Sequence, residues 1–164
     1  MADMTVAPVL RRLAPDEWTV ARDLRVAAIS DSPAAFGSTV EREQSLSLET
    51  WHGRLSGNAW FAAFHEAEPV GLACAVRVAV PEERELTGVL VSPELRGTGI
   101  GDALVVAVRD WARADGARRL TLEVMEGNAQ AVALYRRHGF RATERSEAVS
   151  SHPHRTAVMS LDLL

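Results

Sequence analysis

A chain of 164 residues that is 47% hydrophobic and 24% charged has the make-up of one soluble domain around a single sizeable core. Its net charge of -4 argues against a broad nucleic-acid-binding face, and its one cysteine, Cys74, against a disulfide framework. No apolar run is long enough to span a bilayer, and Met1-Ala2-Asp3-Met4 lacks a basic-then-apolar leader, so a reducing, cytoplasmic setting is expected.

Residues 1–7 read as a loose tail on a single domain covering 1–164, and Pro8 to Leu13 as a first strand. Pro15 to Ile29 reads as a helix: Asp16 and Glu17 suit its N-terminus, Trp18, Ala21, Leu24 and Ala28 recur at helical spacing, and Asp31-Ser32-Pro33 stops it. Ala34 to Ser45 reads as irregular or briefly helical, and Ser47 to Leu55 as a helix capped by Ser47. Asn58 to His65 and Val70 to Val80 form a predicted hairpin turned at Glu66-Ala67-Glu68-Pro69. A polar connection, Pro81 to Arg84, leads into the strand Leu86 to Val91.

That strand runs through Ser92-Pro93-Glu94-Leu95 into Arg96-Gly97-Thr98-Gly99-Ile100-Gly101 and then into a helix from Asp102 to Asp115. Leu104, Val105, Val108, Trp111 and Ala112 make its apolar stripe. Arg118 to Val124 follows as a strand and Asn128 to His138 as a short helix stopped by Gly139. Phe140 to Ala148 and Arg155 to Leu163 are the last strands, joined by the polar loop Val149 to His154. The order β-α-α-β-β-β-α-β-α-β-β points to an α+β fold with a mixed sheet flanked by helices.

A glycine-rich turn between a strand and a helix start is an anion socket. The first helical N–H groups lack intrahelical acceptors, the dipole adds positive charge, and glycines clear the approach. A P-loop would need Lys followed by Ser or Thr, but Asp102-Ala103 stands there and all 18 basic residues are arginine. A dinucleotide fingerprint would need a wider spacing than Gly97, Gly99 and Gly101 provide.

Arg96, Gly99 and Gly101 match instead the pattern R/Q-x-x-G-x-G/A, and Asn128 to Phe140 matches N-x-x-A-x-x-L-Y-x-x-x-G-F. With these two motifs the chain resembles the GCN5-related N-acetyltransferase (GNAT) family over nearly its whole length. The resemblance implies a predominantly antiparallel sheet splayed between strands 4 and 5, and acetyl-CoA as co-substrate. It implies that Arg96, Gly97, Thr98, Gly99, Ile100 and Gly101 hold the pyrophosphate through backbone amides. Val89 and Val91 would pair with the pantetheine arm, and the N–H of Leu90 or Val91 would polarise the thioester carbonyl. Asn128 would bind the pantetheine, and Tyr135 would lie beside the sulfur.

Transfer to an amine needs a neutral nucleophile, a stabilised oxyanion and a proton for the thiolate. An alkylammonium of pKa ~10.4 is about one part in a thousand neutral at pH 7, equivalent to roughly 4–5 kcal/mol of barrier. Tyr135, the chain's one tyrosine, is the candidate acid. Glu85 is a candidate base, or else a solvated charge at a strand end. Phe36, Ser38 and Glu41 are candidates for the acceptor pocket, with Trp51 as an aromatic wall or as core. Among the histidines His152 and His154 alone are closely spaced, without a carboxylate or thiolate partner, so no metal is expected.

The expected reaction is direct attack of a primary amine, on a small molecule or a peptide N-terminus, in a ternary complex. A non-catalytic acyl-CoA-binding module or a transferase using another acyl-CoA is the alternative. Neither nucleic acid nor membrane is an expected partner, and the last strands are open to pairing in a homodimer.

Overall fold

Leu104, Val105, Val108 and Ala112 are fully buried, and their stripe lays helix α4 (Ile100–Ala114) across one face of a sheet. The computed structural model describes residues 6–144 and 156–164. Within them the strands are β1 (Val9–Arg12), β2 (Ala59–His65), β3 (Glu68–Arg77), β4 (Glu83–Val91), β5 (Arg119–Met125), β6 (Arg141–Ala142) and β7 (Thr156–Asp162). They form one sheet of order β1-β2-β3-β4-β5-β7-β6, antiparallel except for β4 and β5. A parallel neighbour needs a crossover, and α4 supplies it.

Helix α5 (Ala129–Arg137) shares the face and the core of α4, where Tyr135 and Phe140 join Leu86, Leu120 and Leu122. The opposite face carries α1 (Trp18–Asp31), α2 (Val40–Ser45) and α3 (Leu48–Gly57), over a second cluster of Leu13, Trp51, Trp60 and Leu72. No helix among the described residues is long and apolar enough to cross a membrane.

Several boundaries differ from those predicted, for physical reasons. β3 begins at Glu68 because the hairpin turns tightly on Glu66 and Ala67, at φ 51° and 68°, without a glycine. It ends at Arg77 rather than Val80. β4 begins at Glu83 because its charged residues are paired: Arg119 Nη1 lies 3.2 Å from Glu83 Oε1, and buried Arg84 donates to Asp115 Oδ2 at 2.8 Å. α2 is a separate helix, capped by Thr39 Oγ1 accepting from the Arg42 N–H. α4 starts at Ile100, two residues before the predicted Asp102. The loop Val149 to His154, with His152 and His154, and residues 145–148 of the predicted strand Phe140 to Ala148 lie outside the described residues; in its described part β6 covers Arg141–Ala142.

The sheet opens where it was expected to. β4 and β5 pair from Glu83–Arg119 to Leu86–Leu122 and no further. At the same point β4 bulges: Gly88 faces Cys74 and Leu86 faces Ala75, leaving Thr87 unmatched. Among the described residues, one backbone edge of β4 from Thr87 to Val91 has no neighbouring strand.

Candidate active site

Pleat alternation decides which backbone groups face that gap. Ser92 donates to Val70 O at 2.8 Å, so Ser92, and with it Leu90 and Gly88, turn N–H and C=O toward β3. Val89 and Val91 turn theirs toward the open edge. The N–H of Leu90 is thereby committed to the sheet, and the N–H groups of Val89 and Val91 are the ones that face the gap. Leu90 still lines the cleft with its side chain.

The gap belongs to a cleft of about 730 Å³ whose walls are the C-terminal half of α1, the end of β4, the turn after it and α5. At its head sits the glycine turn. Gly97 and Gly99 adopt φ 77° and 92°, the left-handed region that a side chain resists. Among the described residues no N–H from Gly97 to Asp102 finds a backbone acceptor, and the first paired donor of α4 is Ala103, to Gly99 O at 3.0 Å. The result is a run of unpaired N–H groups at a helix N-terminus, the chemistry that receives a phosphate. Ile100 is buried, so only its backbone is available there, and the Thr98 hydroxyl donates to Leu95 O. The Arg96 side chain leaves the turn and pairs with Asp31 at 3.0 Å.

Asn128 and Tyr135 both line this cleft. Asn128 is the N-cap of α5, its Oδ1 accepting from the Ala131 N–H at 3.2 Å, and its NH₂ has no partner among the described residues. Tyr135 is buried with its ring edge-on to Phe140 at 5.8 Å, and burial pushes the phenol up to about 12. A phenol held so high keeps its proton throughout the physiological range.

Glu85 stands just past the closed end of the gap, one residue before the last β4–β5 pair, and does not line the cleft. Burial first, and the charge of Glu123 second, hold its carboxyl above the usual range. Phe36 reaches the cleft, whereas Ser38 and Glu41 line a separate depression of about 450 Å³ beside it. Trp51 is core: it is fully buried, edge-on to Trp60 at 6.1 Å, with the Arg54 guanidinium 4.7 Å above its ring. Burial raises the Cys74 thiol to about 12, so it offers no thiolate. Among the described residues no three His, Cys, Asp or Glu side chains converge as a metal site.

Three features escape the motif reading. Asp102, a carboxylate in the first turn of α4 beside the glycine turn, pairs with the C-terminal end of α5, accepting from Arg137 Nη2 at 3.1 Å and lying 2.7 Å from His138 Nε2. Asp31, with Leu24, Ala27 and Ala28 of α1, forms a lip of the cleft. Glu43 is buried between Arg25 at 3.3 Å and Arg54 at 3.2 Å, tying α2 to α1 and α3. Of these, Asp31 alone carries a sequence signal, a carboxylate at a helix C-terminus where the dipole disfavours it.

The pattern of the acetyltransferase (GNAT) family matches residues 22–140. The chain is 42% identical over 60 residues to an aminoglycoside N(6')-acetyltransferase type 1 of Stenotrophomonas maltophilia, covering 37% of this chain and 39% of that protein. It is 34% identical over 88 residues to the peptidyl-lysine N-acetyltransferase YjaB of Salmonella typhimurium, covering 54% of this chain and 53% of that one. It spans 18% to 53% of the length of such curated relatives. In fold it is similar to yncA, a putative acetyltransferase from Salmonella typhimurium solved with acetyl-CoA, with a TM-score of 0.79 and 18% identity over 97% of this chain and 95% of that one. With the open sheet, the glycine turn and a family match over more than half its length, the chain belongs to the GNAT acetyltransferase family.

Proposed function

We propose that the protein is an N-acetyltransferase that moves an acetyl group from acetyl-CoA to a primary amine of a small molecule or a peptide. One observation carries this: the unpaired N–H groups of Gly97 to Asp102 run directly into the strand-free backbone edge of Val89 and Val91. A diphosphate head and an amide-bearing arm fit such a continuous track. Acetyl-CoA supplies a reactive thioester and a thiolate leaving group.

Along that track the arm's amides would take the place of a neighbouring strand, and the Asn128 NH₂ adds a donor from the α5 side. Because β5 closes the gap at Leu86, the reacting end of the arm falls between Thr87 and Val89. There the Val89 N–H faces the carbonyl oxygen as negative charge develops on it. Tyr135, kept protonated by its burial, donates to the departing sulfur. Glu85, one residue beyond the closed end, takes the ammonium's proton through water. The amine attacks directly, since Cys74, the chain's one cysteine, is buried and protonated and does not line the cleft.

The test is a thiol-release assay with acetyl-CoA and a panel of amines: aminoglycosides, polyamines, amino acids and peptides with a free terminus or lysine. An acetylated product identified by mass supports the assignment. Tight acetyl-CoA binding with no acceptor acetylated across the panel would instead favour a binding module.

A further inference from the structure

Asp31 ends α1, where the helix dipole opposes a negative charge. Two donors offset this at one oxygen: Ser32 Oγ at 3.0 Å and Arg96 Nη2 at 3.0 Å reach Asp31 Oδ2. Arg96 belongs to the opposite lip of the cleft, and its Nε donates to Val91 O at 3.2 Å, on the open edge of β4. Its Nη1 has no partner among the described residues. Among those residues, this pair is the one side-chain hydrogen bond between α1 and the glycine turn. Immediately after Asp31 the chain turns at Pro33–Ala35 and runs into Phe36 at the cleft wall. A single carboxylate therefore fastens the start of the acceptor-side segment 32–39 to the donor-side turn.

We propose that Asp31 and the diphosphate of the donor compete for Arg96, so that filling the donor site releases the anchor of segment 32–39 and couples the two halves of the cleft. Asp31 is then a positioning residue. The proposal rests on the assignment of the glycine turn as the diphosphate site. A half-exposed ion pair is worth about fivefold or less in an equilibrium constant. A diphosphate on the N–H groups of Gly97 to Asp102 brings at least two negative charges toward the same guanidinium and repels the Asp31 carboxylate. The exchange follows from that imbalance, and by linkage whatever loosens the Asp31–Arg96 pair must tighten donor binding by the same factor.

The experiment measures acetyl-CoA affinity by calorimetry, and amide exchange of residues 34–39 with and without acetyl-CoA. The proteins are wild type, Asp31→Asn, Asp31→Glu, Arg96→Gln and the double variant Asp31→Asn/Arg96→Gln. Expected is a two- to fivefold gain in affinity for Asp31→Asn at low salt, shrinking at about 0.5 M salt where screening is strong. Asp31→Glu restores wild-type affinity, and the gain from Asp31→Asn shrinks in the Arg96→Gln background, where only the direct repulsion between carboxylate and diphosphate is left to remove; an undiminished gain there overturns the competition. Acetyl-CoA changes exchange at 34–39 in the wild type but not in Asp31→Asn. Equal or weaker affinity in Asp31→Asn, or the same exchange response in both proteins, overturns the competition while leaving the donor site intact. No acetyl-CoA binding by the wild type removes the donor-site assignment itself, and the competition with it.

Discussion

His138 Nε2, at the C-cap of α5, lies 2.7 Å from Asp102 Oδ1, and Arg137 Nη2 lies 3.1 Å from the same oxygen, so the end of α5 pairs with a carboxylate at the first turn of α4. Burial alone would raise the Asp102 pKa, but the hydrogen bonds from His138 and Arg137 outweigh it and hold the carboxyl low. A carboxylate depressed in the folded state stabilises fully above its unfolded pKa, ~3.9, and loses that contribution as pH falls through the folded value. Asp102 is 40% exposed, so the effect is discounted to less than about 1 kcal/mol. Asp102→Asn should lower Tm by no more than roughly 3 °C at pH 7. The difference from wild type should narrow below about pH 4. Thermal unfolding of both proteins across that range measures it, and a gap that widens in acid contradicts the assignment.

Tyr135→Phe keeps the ring that packs on Phe140 and removes only the hydroxyl. Acetyl-CoA affinity should stay within about twofold while turnover falls roughly 100-fold, the lower end of what a lost general acid costs. With the phenol pushed up to about 12, its ionisation should contribute no alkaline limb to the rate profile in ordinary buffers. Unchanged turnover in Tyr135→Phe, with chemistry shown to be rate-limiting, would take Tyr135 out of the mechanism.

Glu85 places stability and activity in opposition. Its raised pKa means the ionised form is disfavoured by folding, a penalty that sets in as pH rises through the unfolded value and is complete above the folded one. Glu85→Gln should therefore be at least as stable as wild type at neutral pH, yet slower, and should lose the acidic limb of its kcat/KM profile. Glu123→Gln removes the neighbouring charge, so the acidic limb should move to lower pH. A limb that stays in place in Glu85→Gln assigns the base elsewhere.

The legible parts of this chain are those with local causes. The glycine turn, the Asn128 cap and the stripe of α4 each follow from a few adjacent residues, and the position of the sheet opening follows from the family resemblance they support. α2 is obscure because Val40–Ser45 is nearly all polar, and its one buried residue, Glu43, is a carboxylate made tolerable by Arg25 and Arg54 from other helices. The same cause hides the start of β4, where Arg84 is buried against Asp115, 31 residues away. The pairing of Asp102 is equally hidden, because its partners lie 35 and 36 residues on. Long-range charge pairing leaves no periodicity to read.

Two glycines of the turn separate backbone strain from cleft access. A Cβ at Gly99 would meet nothing within 4 Å, but its φ of 92° penalises any side chain. Gly99→Ala should cost about 1–2 kcal/mol and weaken acetyl-CoA binding together. Gly101 is helical, and a Cβ there would touch Leu134 at 3.5 Å in ordinary contact beside Val89 and Val91, within the cleft lining. Gly101→Ala should keep or slightly raise Tm while weakening acetyl-CoA binding about tenfold or more, the loss of about 1.4 kcal/mol of contact. Paired measurements of Tm and Kd distinguish the two; full acetyl-CoA affinity in Gly101→Ala would argue that no ligand approaches this part of the turn.

Glu43 is 1% exposed in its side chain, against 19% for Arg25 and 29% for Arg54. Burial would raise its pKa, and the Arg25 hydrogen bonds with the charges of both arginines prevail and hold it low. Removing the carboxylate leaves two guanidinium groups facing each other, both still touching water. The cost of Glu43→Ala should then fall below the roughly 3–5 kcal/mol of a broken buried pair, at about 2–3 kcal/mol. Glu43→Gln keeps the shape and should cost less. Because the folded pKa is depressed, this contribution persists above the unfolded value, ~4.3, and disappears as pH falls through the folded one. Denaturant unfolding of both variants at pH 7 and near pH 4 should show their deficits shrinking in acid. A Glu43→Ala protein as stable as wild type at pH 7 would mean that α2 is held by its apolar contacts and not by this carboxylate.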